Sequence, residues 1–179
     1  ESEKLLKLAV AEAEQFGSSD RRLATSLNSL ASLYRIQGKD DQAEPLYKRA
    51  LVISEKALGP DHPDVAMGLS NLGALFYGQG KYDEAETLLR RALAIREKTL
   101  GPNHPDVATN LNNLAGNYDK QGKYDEAEPL FKRALAIREK ALGPDHPDVA
   151  TVLEHYAALL EATSRQSEAD ELLARARII

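Results

Sequence analysis

The sequence repeats itself every 42 residues, and that period limits the fold more than any other feature. GPDHPDVA at 59–66 returns as GPNHPDVA at 101–108 and GPDHPDVA at 143–150. QGKDDQAE at 37–44 becomes QGKYDEAE at 79–86 and again at 121–128. KRALVISEKALG (48–59), RRALAIREKTLG (90–101) and KRALAIREKALG (132–143) complete the unit. A fixed period between 20 and 50 residues signals an array of stacked supersecondary units, in which each unit borrows its neighbours' surfaces to complete a core. Function in such a chain is sought on a surface rather than in one pocket.

Each unit reads as two amphipathic helices. Val65, Leu69, Leu72 and Phe76 are spaced four, three and four apart, one apolar stripe of an α-helix, and Ala85, Leu88, Leu89, Ala92 and Leu93 form a second. A short QGK turn joins them into a helical hairpin. Pro63, Pro105 and Pro147 suit the first turn of a helix, followed by Asp64, Asp106 and Asp148 at its positive end. Asp83 with Glu86, and Asp125 with Glu128, have the spacing of a capping box. Glu86–Arg90 and Glu128–Lys132 are i,i+4 pairs worth ~0.3 kcal/mol each. Gly17, Gly59, Gly101 and Gly143 fall on one register, as helix-ending positions that accept left-handed geometry. Gly73, Ala85 and Ala92, and again Ala115, Ala127 and Ala134, mark close helix–helix approach.

The expected organisation is all-α, a single array over 1–179 with about nine helices and no β-rich segment. Residues 1–16 match 43–58 and stand as an orphan second helix, with Leu5, Leu8 and Ala9 in register with Tyr47, Ala50 and Leu51. Repeats follow at 20–58, 62–100 and 104–142. A degenerate fourth covers 146–177, where TSRQSEAD replaces QGKYDEAE and Ser167 with Asp170 is the remaining candidate cap. The orphan helix and the absent initiator Met suggest an excised piece of a longer protein. Ile178 and Ile179 look like a severed core edge.

Composition closes off several functions. Cysteine is absent, so no disulfide or thiolate metal site exists. A net charge of −5 argues against a nucleic-acid footprint, and no apolar run approaches the ~18 residues that cross a bilayer. No Ser–His–Asp set, phosphate-binding glycine loop or His-x-x-x-His helix occurs. His62, His104 and His146 lie one per repeat rather than converging, so they shape turns instead of binding metal. The Asp83/Glu84/Glu86 and Asp125/Glu126/Glu128 clusters repeat at helix starts, which assigns them to capping rather than catalysis. Arg90, Arg91, Arg96 and Lys98 are spread around a helix as a solvated face. No enzyme activity, cofactor or metal is expected, and the chain is expected to be cytoplasmic.

Ala115, Tyr118, Ala127, Phe131 and Ala134 in the third repeat carry the tetratricopeptide repeat pattern. The 42-residue unit with ALAIREK, LGPDHPDVA, NNLA and QGKYDEAE closely resembles the repeats of kinesin light chains, over nearly the whole chain. That resemblance implies a right-handed superhelical solenoid whose first helices line a concave, peptide-binding groove. It also implies that the second Asn of NNLA contacts the peptide backbone, here Asn113 and Asn71, with Ser29 and His155 at the matching positions of the other repeats. The candidate peptide-binding residues are Asn28, Ser29, Arg35, Ser70, Asn71, Thr109, Asn112, Asn113 and Lys120, flanked by Thr25, Tyr77, Thr151, Glu154 and His155. An amide suits this work because it donates to and accepts from a peptide bond. Only Arg35 and Lys120 could attract an acidic ligand, and Asp119, Glu154 and Glu161 oppose them. Kinesin-light-chain cargo specificity is therefore not carried over. The expected partner is a peptide or protein, with no nucleic acid or membrane, for a monomer with end-to-end association left open. The alternatives are a structural or oligomerising scaffold segment and the regulatory arm of a larger enzyme.

Overall fold

The computed structural model describes residues 1–17 and 20–179, and among these every regular element is helical. The helices are α1 (Ser2–Glu14), α2 (Arg21–Ile36), α3 (Asp40–Leu58), α4 (Pro63–Gly78), α5 (Tyr82–Leu100), α6 (Pro105–Lys120), α7 (Tyr124–Leu142), α8 (Pro147–Ala162) and α9 (Gln166–Ala176). They group into two compact units, Glu1–Ile95 and Arg96–Ile179, with the boundary inside α5.

In the first unit α2 packs on α3, α3 on α4, and α1 on α2. The 3.6-residue stripe of each helix supplies the core. Leu30, Ala31 and Tyr34 of α2 meet Ala43 and Tyr47 of α3, then Leu72, Leu75 and Phe76 of α4. A second cluster joins Ala13 of α1 to Leu23, Ala24, Leu27, Ala50 and Ile53. Alanines are what let these backbones approach. Ala31, Ala43 and Ala50 are fully buried beside the bulky Tyr47, whose hydroxyl is 2.8 Å from Ser32 Oγ. At Gly73 a Cβ would lie 3.1 Å from Leu89 Cγ, so the close approach expected there is real.

The second unit repeats the scheme. α6 pairs with α7, α8 with α9, and α7 packs on α8. Phe131 is fully buried and stacks on Tyr156 with centroids 6.1 Å apart, and Tyr156 Oη donates to Glu128 Oε1 at 2.9 Å. Neighbouring second helices are also stitched by arginines on the 42-residue step. Arg133 pairs with Glu97 at 2.6 Å and donates to the Pro102 carbonyl at 2.9 Å, and Arg175 pairs with Glu139 at 2.6 Å. Arg91 does the same in the first unit, with Glu55 and the Pro60 carbonyl. Such exposed pairs contribute at most ~1 kcal/mol each, so they fix register more than stability.

Helix starts depart from expectation. Asp125 is not an N-cap: α7 begins at Tyr124, its N-cap is Lys123 without a side-chain cap bond, and Asp125 lies inside the first turn. Asp83 likewise lies inside the first turn of α5, and α9 starts at Gln166 behind Arg165, ahead of Ser167. The helices begin so directly after the turn that these acids act through the helix dipole rather than as caps. Glu128, freed from the capping box, takes Lys132 at 2.7 Å and Arg165 at 2.7 Å instead. The expected Glu86–Arg90 pair forms at 3.0 Å. The first helices do have side-chain caps, and histidine supplies them. His62, His104 and His146 each accept from the backbone N–H two residues on, through Nδ1 at 3.1 Å. Proline follows each as the first helical residue.

The second helices end at glycine for a stricter reason than left-handed helical geometry. Gly59 sits at φ 88°, ψ 157° and Gly143 at φ 90°, ψ 157°. That region is outside the left-handed helical well and is essentially open to glycine alone. The interiors tolerate more. α3, α5 and α7 all run 19 residues, although α3 and α7 contain Pro45 and Pro129 where α5 has Thr87. Packing on both flanks outweighs one lost backbone bond.

Leu5 and Leu8 are 62% and 51% exposed, whereas Tyr47 and Ala50, in register with them, are buried. Ile178 is exposed, while Ile179 packs against the cluster of Val149, Leu153 and Ala176.

Candidate functional site

Each unit sets two first helices side by side, α2 with α4 and α6 with α8. Every candidate residue lies on these four helices, and each pair forms its own short ladder.

On the first ladder, the apolar stripes turn Leu23, Leu27, Leu30, Leu69 and Leu72 into the core. The polar residues between them are left along the α2–α4 seam and its outer face. Thr25 Oγ1 donates to the Arg21 carbonyl at 3.2 Å, Ser29 Oγ to the Thr25 carbonyl at 3.0 Å, and Ser70 Oγ to the Ala66 carbonyl at 2.9 Å. Those hydroxyl protons are therefore spent on their own helices. Asn28 is 8% exposed, and its Oδ1 is buried with no hydrogen-bond partner among the described residues. Asn71 is half-buried and Arg35 exposed. At the helix starts Arg21 bridges to Asp64 at 2.8 Å, tying α2 to α4. Met67, the only methionine of the chain, is exposed at the position matching Thr25.

The second ladder is more heavily cross-linked. Thr109 Oγ1 donates to the Pro105 carbonyl at 3.3 Å and accepts from Arg138 Nη2 at 2.6 Å. Arg138 also pairs with Asp148 at the start of α8. Asn112 meets His155 across the α6–α8 seam, with Nδ1 of the ring 3.0 Å from the amide nitrogen and 3.1 Å from its oxygen. Asn113 is half-buried, Lys120 lies 3.4 Å from Asp119, and Thr151 donates to the Pro147 carbonyl at 3.3 Å. Glu154 is exposed beside His155.

Four side chains of this region escape a reading by repeats. Arg96 and Arg138 are not solvated surface charges. Arg96 donates to the Asp106 carbonyl at 3.0 Å and to Asn110 Oδ1, and burial pushes its guanidinium below the ordinary arginine range, against the pull of Asp106. Ser54 stands at the matching position of the first unit, so the signal was a charge appearing where an earlier repeat has a small polar residue. Asn110 and Asn117 are fully buried polar side chains. They break the repeat, since Gly68 and Val152 match the first and Leu75 and Leu159 the second. For Asn110 the polar partner comes from another helix, Arg96 of α5.

The histidine caps account for His62, His104 and His146, and among the described residues no cluster of His, Asp and Glu could hold a metal ion. No described helix is long and apolar enough to cross a membrane. An open depression of about 500 Å³ along α1, lined by Glu1, Glu3, Lys4, Lys7 and Leu8, shares no residue with either ladder.

The sequence model of the tetratricopeptide repeat family matches residues 22–98, 64–140 and 120–177. Among curated proteins there is no significant match. Among solved structures, the chain is similar to BtubC (BKLC) from P. vanneervenii, with 29% identity and a TM-score of 0.87, over 98% of this chain and 70% of that one. It is similar to a Podosopora anserina kinesin light chain candidate with nearly identical TPR-like repeats, again at 29% identity, with a TM-score of 0.81 over 98% and 84%. MamA, at 17% identity and a TM-score of 0.66 over 94% and 82%, shares the fold.

Proposed function

The chain belongs to the tetratricopeptide repeat family, in its 42-residue kinesin-light-chain-like form, and on that premise we propose that it binds a peptide segment of a partner protein along its first helices. Repeats of this family are in general protein–protein interaction modules. The observation that carries the finer reading is the state of two amides. Asn71 and Asn113 are half-buried on α4 and α6, and neither side chain makes a hydrogen bond among the described residues. An amide held on a rigid helix with donor and acceptor unspent is preorganised for an extended peptide backbone. Asn28, Ser29, Arg35 and Ser70 would flank a segment bound on the first ladder, and Thr109, Asn112 and Lys120 one bound on the second. The reading needs no cofactor, metal or catalytic group, and it goes with a monomeric, cytoplasmic, non-enzymatic module.

The test is a peptide-array screen that includes acidic Trp-containing and basic sequences, followed by Asn71→Ala/Asn113→Ala on every hit. Losing two backbone-directed hydrogen bonds should weaken binding at least ~10-fold, while helicity and melting stay near wild type. Normal binding by the double variant sinks the assignment, and a large drop in melting temperature makes the amides structural. A scaffold reading is favoured by one observation, the exposed Leu5 and Leu8 on α1. Concentration-dependent mass in sedimentation without any peptide, abolished by Leu5→Lys/Leu8→Lys, would select it.

A further inference from the structure

The two units carry the same seam between first helices and fill it differently. In steps of 42 residues, Asn112 corresponds to Asn28 two repeats earlier, and His155 to Asn71. In the second unit this pair is joined: the His155 ring nitrogen and the Asn112 amide are within 3.0–3.1 Å across the α6–α8 seam. In the first unit no hydrogen bond links Asn28 to Asn71, and Asn28 Oδ1 is buried without a donor. Thr109 beside the closed seam is also engaged, by Arg138. The hydroxyl of its counterpart Thr25 donates within its own helix, to the Arg21 carbonyl.

We propose that His155 is a specificity-determining latch. Its ring occupies the Asn112 amide and keeps the α6–α8 seam from taking a ligand backbone, so that a bound segment registers on the α2–α4 seam through Asn71. The inference rests on the peptide-binding reading above and adds to it where the segment sits. Asn71 is half-buried and makes no side-chain hydrogen bond among the described residues, so its demand for a donor and an acceptor is open to a ligand amide. At Asn112 the demand is met from inside. A ligand reaching that amide must first displace the imidazole, trading one bond for another of similar worth. The ring suits this task because it is bulkier than an amide and presents one nitrogen to the partner whichever tautomer is present.

Two measurements on the whole chain test the latch separately from the function it serves. In the absence of peptide, the side-chain amide resonances of Asn112 are followed by 1H–15N correlation spectra in wild type, His155→Asn and His155→Ala. Both substitutions should move them while melting stays within a few degrees of wild type. Unmoved resonances overturn the latch whether or not any peptide binds. With a peptide taken from the array, His155→Asn gives α8 the amide that α4 already carries, and should raise affinity roughly fivefold, the worth of one added hydrogen bond. Asn71→Ala should cost more than Asn113→Ala. Unchanged or weaker binding by His155→Asn, with the Asn112 resonances moved, overturns the claim that the latch governs where ligand sits. If no peptide on the array binds, the peptide-binding reading and the ligand half of the latch fall together, and the amide resonances still decide whether the latch exists.

Discussion

Gly143→Ala and Gly116→Ala are the same chemical change in the same unit, and they should move stability in opposite directions. At both positions an added Cβ would meet nothing within 4 Å, so contacts cancel and only the backbone decides. Gly143 ends α7 at φ 90°, ψ 157°, a region that alanine enters at a cost of about 1–3 kcal/mol. Alanine also narrows the unfolded ensemble, which returns about 0.4–1 kcal/mol. The net expectation is a loss of about 1–2 kcal/mol. Gly116 lies inside α6 with no positive φ, and there alanine gains about 0.5–1 kcal/mol. For a chain of this length each kcal/mol moves the melting point by ~2–4 °C. Gly143→Ala should therefore melt about 2–8 °C below wild type and Gly116→Ala about 1–4 °C above it. Thermal and urea unfolding followed by far-UV circular dichroism read both. A Gly143→Ala protein as stable as wild type would refute the backbone argument. So would a Gly116→Ala protein destabilised by more than ~1 kcal/mol, because some unseen contact would then be deciding.

Other perturbations report on the same physical terms. His146→Ala removes the Nδ1 acceptor from the Asp148 N–H and should cost ~1 kcal/mol, while His146→Asn, a strong N-cap, should restore it; equal melting of the two variants would show that the histidine caps nothing. Glu128 is held down to about 2 by hydrogen bonds from Lys132 first, then Arg165, with Tyr156 adding to them. Its contribution is thus complete above the ordinary carboxylate value of 4.5 and is lost as pH falls towards 2. Allowing for solvent screening, Glu128→Gln should cost about 1–2 kcal/mol at pH 7 and almost nothing near pH 2 in urea titrations, and a pH-independent difference would contradict the linkage. Arg138→Met should cost about 1–3 kcal/mol by leaving Asp148 and Thr109 without their shared donor, with Arg138→Lys recovering only part, since an ammonium cannot reproduce the planar fork. Full recovery by lysine would mean that charge alone acts there.

Local rules were enough wherever a residue's role depends on its own helix. The stripe Val65, Leu69, Leu72 and Phe76 is buried, prolines open the first helices, glycines close the second ones, and the i,i+4 pairs form. The period told where each hairpin lies because every copy faces the same neighbours and so solves the same packing problem. Local rules failed where two partners compete for one group. Asp125 and Glu128 have capping-box spacing, but Glu128 is drawn away by Arg165 and Tyr156 from the next hairpin, which no local spacing encodes.

The ladder was legible as a row of polar residues and no further. Sequence alone could place Asn28, Asn71, Asn112, Asn113 and His155 on the first helices. It could not tell that Asn112 and His155 answer each other while Asn28 keeps a buried oxygen without a donor. Nor could it tell that Arg138 leaves the solvated face of α7 to join α6 and α8. Helical periodicity is a property of a few neighbouring residues and is written in the chain. Whether a polar group is spent or unspent depends on which side chain arrives from another helix, tens of residues away, and only the packed structure decides that.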